Sequence, residues 1–332
     1  MTSRHGRRID SSFNPSFLIR NKHLQTILPS MPFAAHDRVP LTREILTLHD
    51  GDETAVDWAG PANRQSDDRP LLVVLHGLES SSESAYAQML LKAALDAGWD
   101  ACVLNFRDCG DYRNKLPRRY HAGETGDVRF FLERQATMRS GPIVAAGYSL
   151  GGNVLLKYLG ESGDGTPLSA AAAVCVPLDL QACSTRLNQG FSKIYQYYLL
   201  RNMKAAMTKR FAPDTAGIDW DRAVNSKTFD DFDDAVTAPL HGFDGKDDYY
   251  GRSSSRQFLG MIEKPTLIVN ALDDPFMATE MLPEEAELAP AVTLELSEHG
   301  GHVGYVESGP PWRPRYYLPK RLVEYLRPYT ER

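Results

Sequence analysis

The stretch that decides the fold is PIVAAGYSLGGN, residues 142–153. Its first eight residues, 142–149, form an apolar run typical of a buried strand, and residues 150 to about 161 are typical of a helix. Between them, residues 147–151 match G-x-S-x-G, which in a strand–turn–helix setting indicates a nucleophile elbow, a tight turn that exposes a serine hydroxyl. The sequence therefore predicts that Ser149 is a nucleophile at the carboxyl edge of a sheet.

Strand-like and helix-like segments alternate on both sides of this elbow. Further strands are predicted at residues 71–77, 101–106, 170–176, 265–272 and 291–298, with helices at 84–97 and 125–138. This alternation predicts an α/β-hydrolase fold, with a mostly parallel central sheet and helices on both faces. Nearer the N-terminus, two alternating runs on either side of Asp50 and Gly51 predict a β-hairpin.

The alternation lapses between residues 177 and 261, which indicates an insertion. We expect an N-terminal arm at residues 1–42, a hydrolase core at 43–176 and 262–332, and a helical cap at 177–261. Within the insertion, apolar residues at i, i+3, i+4, i+7 and i+8 predict an amphipathic helix, and they are Phe191, Ile194, Tyr195, Tyr198 and Leu199.

Two roles are open for the apolar side chains of this cap. Thioethers and aromatic rings adapt to varied apolar chains, so these side chains could line an acyl pocket, or they could pack the cap onto the core. The side chains concerned are Phe191, Tyr195, Tyr198, Met203 and Met207.

Composition excludes several classes of protein. The chain has 332 residues, 42% of them hydrophobic and 24% charged, with 37 basic and 43 acidic side chains, which excludes a disordered, collagen-like or disulfide-scaffold protein. The net charge of −6 argues against a nucleic-acid partner. The four cysteines match neither a zinc nor a redox motif, so we expect no metal and no cofactor.

The sequence also indicates where in the cell the protein is expected. The basic N-terminus is not followed by the apolar segment of a secretory signal, and no run approaches the ~18 apolar residues of a membrane span. We therefore expect a cytoplasmic protein without a transmembrane segment. Peripheral membrane contact and the oligomeric state stay open.

A serine nucleophile needs a base that takes its proton. On this fold the order along the chain is serine, acid, histidine, which leaves His241, His299 and His302 as candidates. His302 is favoured because it lies in a glycine-rich loop, EHGGHVGY, after the last predicted strand. His299 is the alternative at the end of that strand, and His241 lies in the insertion, before the acid.

The acid should follow a late strand, where Asp273 and Asp274 are adjacent. Asp274 is favoured, since it stands third after Ala271 and directly before Pro275, and Asp273 remains the alternative. For the oxyanion hole we expect the backbone N–H groups of Leu78, after the strand ending in His-Gly, and of Leu150, directly after the nucleophile.

Several longer strings carry a family resemblance. They are NKHLQTILP (21–29), NFRDCGD (105–111), YHAGETGDV (120–128), HGFDGKDDYY (241–250), NALDDPFM (270–277) and EHGGHVGY (298–305). With these the chain resembles the YheT-type α/β-hydrolases, bacterial relatives of the ABHD abhydrolase-domain lipases and esterases. The resemblance implies a triad of Ser149, Asp274 and His302 and a carboxylic ester hydrolase acting on short-chain or lipid-like esters. One departure, Asp108 where relatives tend to have a small residue, leaves substrate preference in doubt.

The sequence thus predicts a serine esterase that works through an acyl-enzyme intermediate. The alternatives are acyl transfer or thioester hydrolysis with the same triad, and a non-catalytic binding protein on the hydrolase fold. Dehalogenases and epoxide hydrolases use a carboxylate nucleophile at the elbow, so Ser149 argues against both.

Overall fold

The computed structural model describes residues 4–31, 34, 36–60, 68–215 and 217–331. Its described strands form a main sheet and a separate small hairpin. The strands are β1 (Arg7–Asp10), β2 (Leu41–Thr47), β3 (Glu53–Ala59), β4 (Leu71–Leu75), β5 (Asp100–Leu104), β6 (Ile143–Tyr148), β7 (Leu168–Val174), β8 (Thr266–Ala271), β9 (Val292–Ser297), β10 (Val306–Ser308) and β11 (Arg315–Tyr316).

The main sheet has the order β1-β9-β8-β7-β6-β4-β5-β3-β2. Its strands are parallel except at one edge, where β3 pairs antiparallel with both β2 and β5. The helices are α1 (Lys22–Ile27), α2 (Ala85–Asp96), α3 (Gly126–Met138), α4 (Leu150–Ser162), α5 (Leu180–Leu187), α6 (Ser192–Arg210), α7 (Trp220–Asn225), α8 (Phe229–Phe232), α9 (Ala238–Leu240), α10 (Lys246–Ser253) and α11 (Leu318–Leu326).

The central strands are apolar because helices cover both faces of the sheet. Every residue of β4 and β6 is buried. Side chains alternate across a strand, so Leu71, Val73 and Leu75 pack on the side of α3 and α4, whereas Leu72 and Val74 pack on the side of α2 and α11. The predicted α/β-hydrolase architecture is confirmed, and so is the hairpin at Asp50 and Gly51, which joins β2 and β3.

Two features differ from expectation. The predicted N-terminal arm contributes an edge strand, β1, which pairs parallel with β9. In the insertion, α6 forms as predicted, but its buried side carries Gln196, Leu200, Met203 and Met207. Ile194 and Tyr198 of the predicted apolar stripe are 56% and 59% exposed, so the stripe packs against the rest of the chain only in part, through Tyr195 and Leu199.

The segment between β7 and β8 contains α5 to α10 joined by loops, and its described residues include no strand. It has an apolar cluster of its own, which includes Leu200, Met207, Phe229 and Phe232. In the part of the chain that the structure covers, no helix combines the length and apolar character that crossing a bilayer requires.

A buried arginine ties the hairpin to the rest of the core. The side chain of Arg107, in the loop after β5, is fully buried and donates to Asp127 at the start of α3 at 2.7 and 2.6 Å. It also donates to Asp50 at 2.7 Å and to Asp52 at 2.8 Å, both in the hairpin turn. Three carboxylates from two separate chain segments therefore depend on one guanidinium group.

Replacing this arginine should be costly. We expect Arg107→Leu to lower the free energy of unfolding by about 3–5 kcal/mol, because it leaves buried carboxylates without their cation. Urea unfolding at pH 7 measures the effect. The matched control is Arg38→Leu, which removes an exposed ion pair with Glu83 and should cost less than about 1 kcal/mol. Equal costs for the two variants would contradict this role of Arg107.

Candidate active site

Ser149 lies in the turn between β6 and α4, with backbone angles φ 51° and ψ −118°. These values are outside the regions that non-glycine residues usually occupy, as a nucleophile elbow requires. Two residues later, a Cβ atom on Gly151 would lie 2.4 Å from the carbonyl oxygens of both Leu75 and His76. Only glycine fits there, so the helix can start directly beneath the end of β4.

The side chain of His302 lies between those of Ser149 and Asp274 at the carboxyl edge of the sheet. His302 Nε2 lies 3.0 Å from Ser149 Oγ, and His302 Nδ1 lies 2.9 Å from Asp274 Oδ2. The side chain of Asp274 is fully buried, and its Oδ1 accepts the Phe276 N–H at 2.8 Å. Because a carboxylate only accepts, Nδ1 carries the proton, and Nε2 of the neutral ring is free to accept the serine proton.

The alternative acid and bases lie elsewhere. Asp273 accepts the Gly301 N–H at 2.9 Å and approaches His299, whose Nδ1 is 3.5 Å from Asp273 Oδ2. The ring of His241 packs 4.5 Å from that of His121, and burial lowers the pKa of His241 to about 2. Of the predicted candidates, the structure therefore brings together Ser149, Asp274 and His302. It places Asp273 next to His299.

The two predicted oxyanion donors are also placed at the site. Leu78 and Leu150 line the same cavity as Ser149, and neither backbone N–H has an acceptor among the described residues. The neighbouring N–H groups are occupied, since Gly77 donates to the Tyr86 hydroxyl and Glu79 donates to the Tyr120 hydroxyl, each at 2.8 Å. The Leu78 and Leu150 N–H groups are thus both available to a bound ligand.

The comparison with known proteins agrees with this geometry. Residues 70–308 match the family model described as the alpha/beta hydrolase fold. The chain is 40% identical to the Escherichia coli (strain K12) protein named "Putative esterase YheT", over 97% of this chain and 94% of that protein. The chain belongs to the α/β-hydrolase family, in the branch that contains YheT.

More distant proteins share the same architecture. This α/β-hydrolase is 29% identical to mouse phospholipase ABHD3, over 97% of the chain and 80% of that protein. Among solved structures, the Pyrococcus furiosus esterase Pf2001 superposes with a TM-score of 0.58 at 15% identity, covering 98% of this chain and 99% of that one. At this identity the structural likeness shows the fold.

A cavity of about 990 Å³ opens above Ser149 in this hydrolase. Four of the five side chains considered above for the predicted cap line it, namely Tyr195, Tyr198, Met203 and Met207. Asp108, at which we expect a departure from the family pattern, reaches the cavity indirectly. Its Oδ2 accepts from Arg119 Nε at 2.9 Å, and Arg119, which also donates to Glu79, lines the wall.

Two contacts with His302 gave no signal in the sequence. The ring of Phe276 stacks on the imidazole, with centroids 4.0 Å apart and planes 6° from parallel. The N-terminal arm contacts residues 298–305, which we call the histidine loop, from the other side, because Thr26 Oγ1 accepts the His302 N–H at 2.9 Å. The NALDDPFM and NKHLQTILP strings carry these residues, but only the fold brings them to the histidine.

A buried glutamine strengthens the hold of the arm. Gln25 donates to the carbonyls of Ile19 at 2.8 Å and Val306 at 3.0 Å, and it accepts the Val306 N–H at 2.7 Å. A Cβ atom on Gly304 would lie 2.0 Å from the carbonyl oxygen of Gln25. The arm and the histidine loop therefore pack backbone against backbone, which glycine alone permits.

The residues at the site do not suit a metal ion. Among the described residues, the one group with ligand atoms close enough is Cys175, Asp274 and His302. Burial and the nearby Asp274 carboxylate raise the pKa of the Cys175 thiol, whereas a metal ligand must be a thiolate. Asp274 and His302 are already engaged with each other, so a metal would have to break the hydrogen bond that orients the imidazole.

His76, at the end of β4, is held in one neutral form. Its Nδ1 donates to the Gly77 carbonyl at 2.7 Å, and its Nε2 accepts the Phe106 N–H at 3.1 Å. Protonation would remove that acceptor, and burial lowers the pKa of His76 from 6.5 to about 4. In the folded protein this ring therefore stays neutral over a range in which the unfolded chain binds a proton.

The free energy of unfolding should accordingly decrease as the pH is lowered. Because the folded pKa is the lower one, the stability that His76 contributes is complete above pH 6.5 and is lost as the pH falls towards 4. We expect His76→Asn to reduce this slope by up to about 1.4 kcal/mol per pH unit. Urea unfolding at several pH values measures it, with the exposed His49→Asn as control. A slope unchanged by His76→Asn would contradict the assignment.

Proposed function

We propose that this hydrolase is a serine esterase that cleaves carboxylic esters through Ser149, His302 and Asp274 and an acyl-enzyme intermediate. The observation that carries the proposal is the continuous hydrogen-bonded series from the buried Asp274 carboxylate through His302 to the Ser149 hydroxyl, at the base of a cavity. A serine hydroxyl is too weakly acidic to attack an ester unaided, and this series supplies the base.

In the first half-reaction, Ser149 Oγ attacks the ester carbonyl carbon while His302 Nε2 takes the hydroxyl proton. Asp274 keeps its charge and stabilises the imidazolium that forms. The carbonyl oxygen becomes an oxyanion, which accepts from the Leu78 and Leu150 N–H groups. Each such donor is worth roughly 2.7–4 kcal/mol of barrier. The intermediate then collapses, and His302 returns its proton to the departing alkoxide, which leaves as the alcohol.

The second half-reaction repeats these steps with water. His302 takes a proton from water as its oxygen attacks the acyl carbon, and the new tetrahedral intermediate expels Ser149 Oγ, which regains the proton. The products are the carboxylic acid and the free enzyme. Both halves need the Nε2 atom of His302 free to accept a proton at their start.

The proposed cap, residues 177–261, supports a substrate with an apolar acyl chain. Tyr198, Met203 and Met207 of α6 face the cavity, and thioether and aromatic groups accept varied apolar chains. The relative named phospholipase ABHD3 favours a lipid-like ester. We therefore propose that acyl selectivity comes from the wall that the cap provides.

Turnover of p-nitrophenyl esters of two to twelve carbons tests the proposal. We expect Ser149→Ala to lower kcat by about 10⁴-fold or more, because the residual rate then comes from binding and the oxyanion donors alone. Adding a competing alcohol and analysing the products separates hydrolysis from acyl transfer. Unchanged turnover in folded Ser149→Ala would overturn the proposal.

The two adjacent aspartates give a matched pair of variants within this test. Asp274→Asn should lower kcat by about 10⁴-fold, because an amide in place of the carboxylate favours the wrong imidazole tautomer. Asp273→Asn keeps an oxygen that can accept the Gly301 N–H and should stay within about tenfold of wild type. The reverse order would assign the acid to Asp273 instead.

A further inference from the structure

Large apolar side chains are exposed along two segments of the chain, the arm and the start of the proposed cap. Phe17 and Leu18 are 81% and 82% exposed, and Tyr197 is 69% exposed. The whole set, which we call the apolar rim, is Phe17, Leu18, Leu24, Met31, Phe191, Ile194, Tyr197 and Tyr198. Isolated exposed apolar residues are ordinary, but a group of this size marks an interaction surface.

The two segments meet. The ring of His23 in α1 lies 4.2 Å from that of Phe191, and its Nδ1 is 3.0 Å from the Tyr195 hydroxyl. The contact lies at the cavity, because Met31 from the arm and Ile194 and Tyr198 from α6 line the cavity while staying exposed. The apolar rim thus continues into the opening through which a substrate would enter.

The charge of these segments is opposite to that of the whole chain. Residues 11–36 and 180–213 contain no aspartate or glutamate, although the chain has 43 acidic residues and a net charge of −6. They carry Arg20, Lys22, Arg186, Lys193, Arg201, Lys204, Lys209 and Arg210. Among the described residues, Arg20, Lys22, Lys193 and Arg201 have no carboxylate within ion-pair distance.

We propose that the apolar rim and its unpaired cations bind the surface of a bilayer that contains anionic lipids, so that the cavity opens towards the membrane. Interfacial segments combine apolar and aromatic side chains, which enter the headgroup region, with Lys and Arg, which attract anionic headgroups. Both components occur here, next to the opening. A second copy of the chain fits less well, because a symmetric dimer would bring the unpaired cations of the two copies together.

Sedimentation with vesicles tests the proposal without requiring turnover, so its outcome is independent of the esterase proposal. Wild-type protein should sediment with vesicles of phosphatidylcholine and phosphatidylglycerol. We expect at least tenfold weaker partitioning onto phosphatidylcholine alone, and weaker binding to the mixed vesicles as salt is raised. Failure to bind the anionic vesicles at low salt would overturn the proposal.

Two sets of variants locate the surface, each with a control. Phe17→Ser/Leu18→Ser/Tyr197→Ser should reduce partitioning at least tenfold, whereas Ile45→Ser/Met138→Ser/Met261→Ser, which changes exposed apolar residues outside the apolar rim, should leave it near wild type. Thermal unfolding checks that each variant is folded. Equal partitioning of the two would overturn the proposal, and so would a concentration-dependent dimer that only the first set dissolves.

The second set concerns charge. Lys22→Glu/Lys193→Glu/Arg201→Glu should remove the preference for anionic vesicles. The control Lys92→Glu/Lys227→Glu/Lys320→Glu makes the same change in net charge outside residues 11–36 and 180–213 and should keep that preference. An equal loss in both variants would mean that net charge, and not this surface, governs binding, which would contradict the proposal.

Discussion

The hydrogen bond between His302 Nδ1 and the buried Asp274 carboxylate is the interaction on which the rest of the site depends. It fixes the tautomer that presents a bare Nε2 to Ser149, and it requires three distant chain segments to end at one place. The sheet order meets that requirement, because β6, β7, β8 and β9 are consecutive neighbours. The elbow follows β6, the acid follows β8, and the histidine loop follows β9, all at the same carboxyl edge.

The histidine loop is held from two directions. Phe276 stacks on the imidazole from the acid loop, and the N-terminal arm holds the backbone through Thr26 and Gln25. The arm adds β1 to the sheet beside β9, then returns as α1 against the loop that follows β9. A segment that the sequence presents as an appendage therefore supports the positioning of the imidazole, and its exposed side contributes to the apolar rim at the cavity opening.

Local sequence patterns were sufficient to predict the elbow and the buried strands and to select candidates for the histidine and the acid. The elbow has a short signature, buried parallel strands are continuous apolar runs, and chain order narrowed the choice of histidine and acid. The features that local sequence patterns did not predict depend on long-range packing. The charged sequence of β1, RRID, gives no strand signal. In the apolar stripe of α6, Ile194 and Tyr198 line the cavity and stay exposed, whereas Tyr195 and Leu199 pack against the adjacent apolar cluster, a division that periodicity does not distinguish. The roles of Phe276 and Gln25 arise only when distant segments meet.

A crystal structure of the protein inactivated by a p-nitrophenyl alkylphosphonate tests the central claim most directly, because the adduct mimics the tetrahedral intermediate. The account predicts a bond from phosphorus to Ser149 Oγ, with the phosphonyl oxygen within hydrogen-bond distance of both the Leu78 and Leu150 N–H groups and His302 still bound to Asp274. Phosphorus bonded to another residue, or a phosphonyl oxygen turned away from both N–H groups, would contradict it.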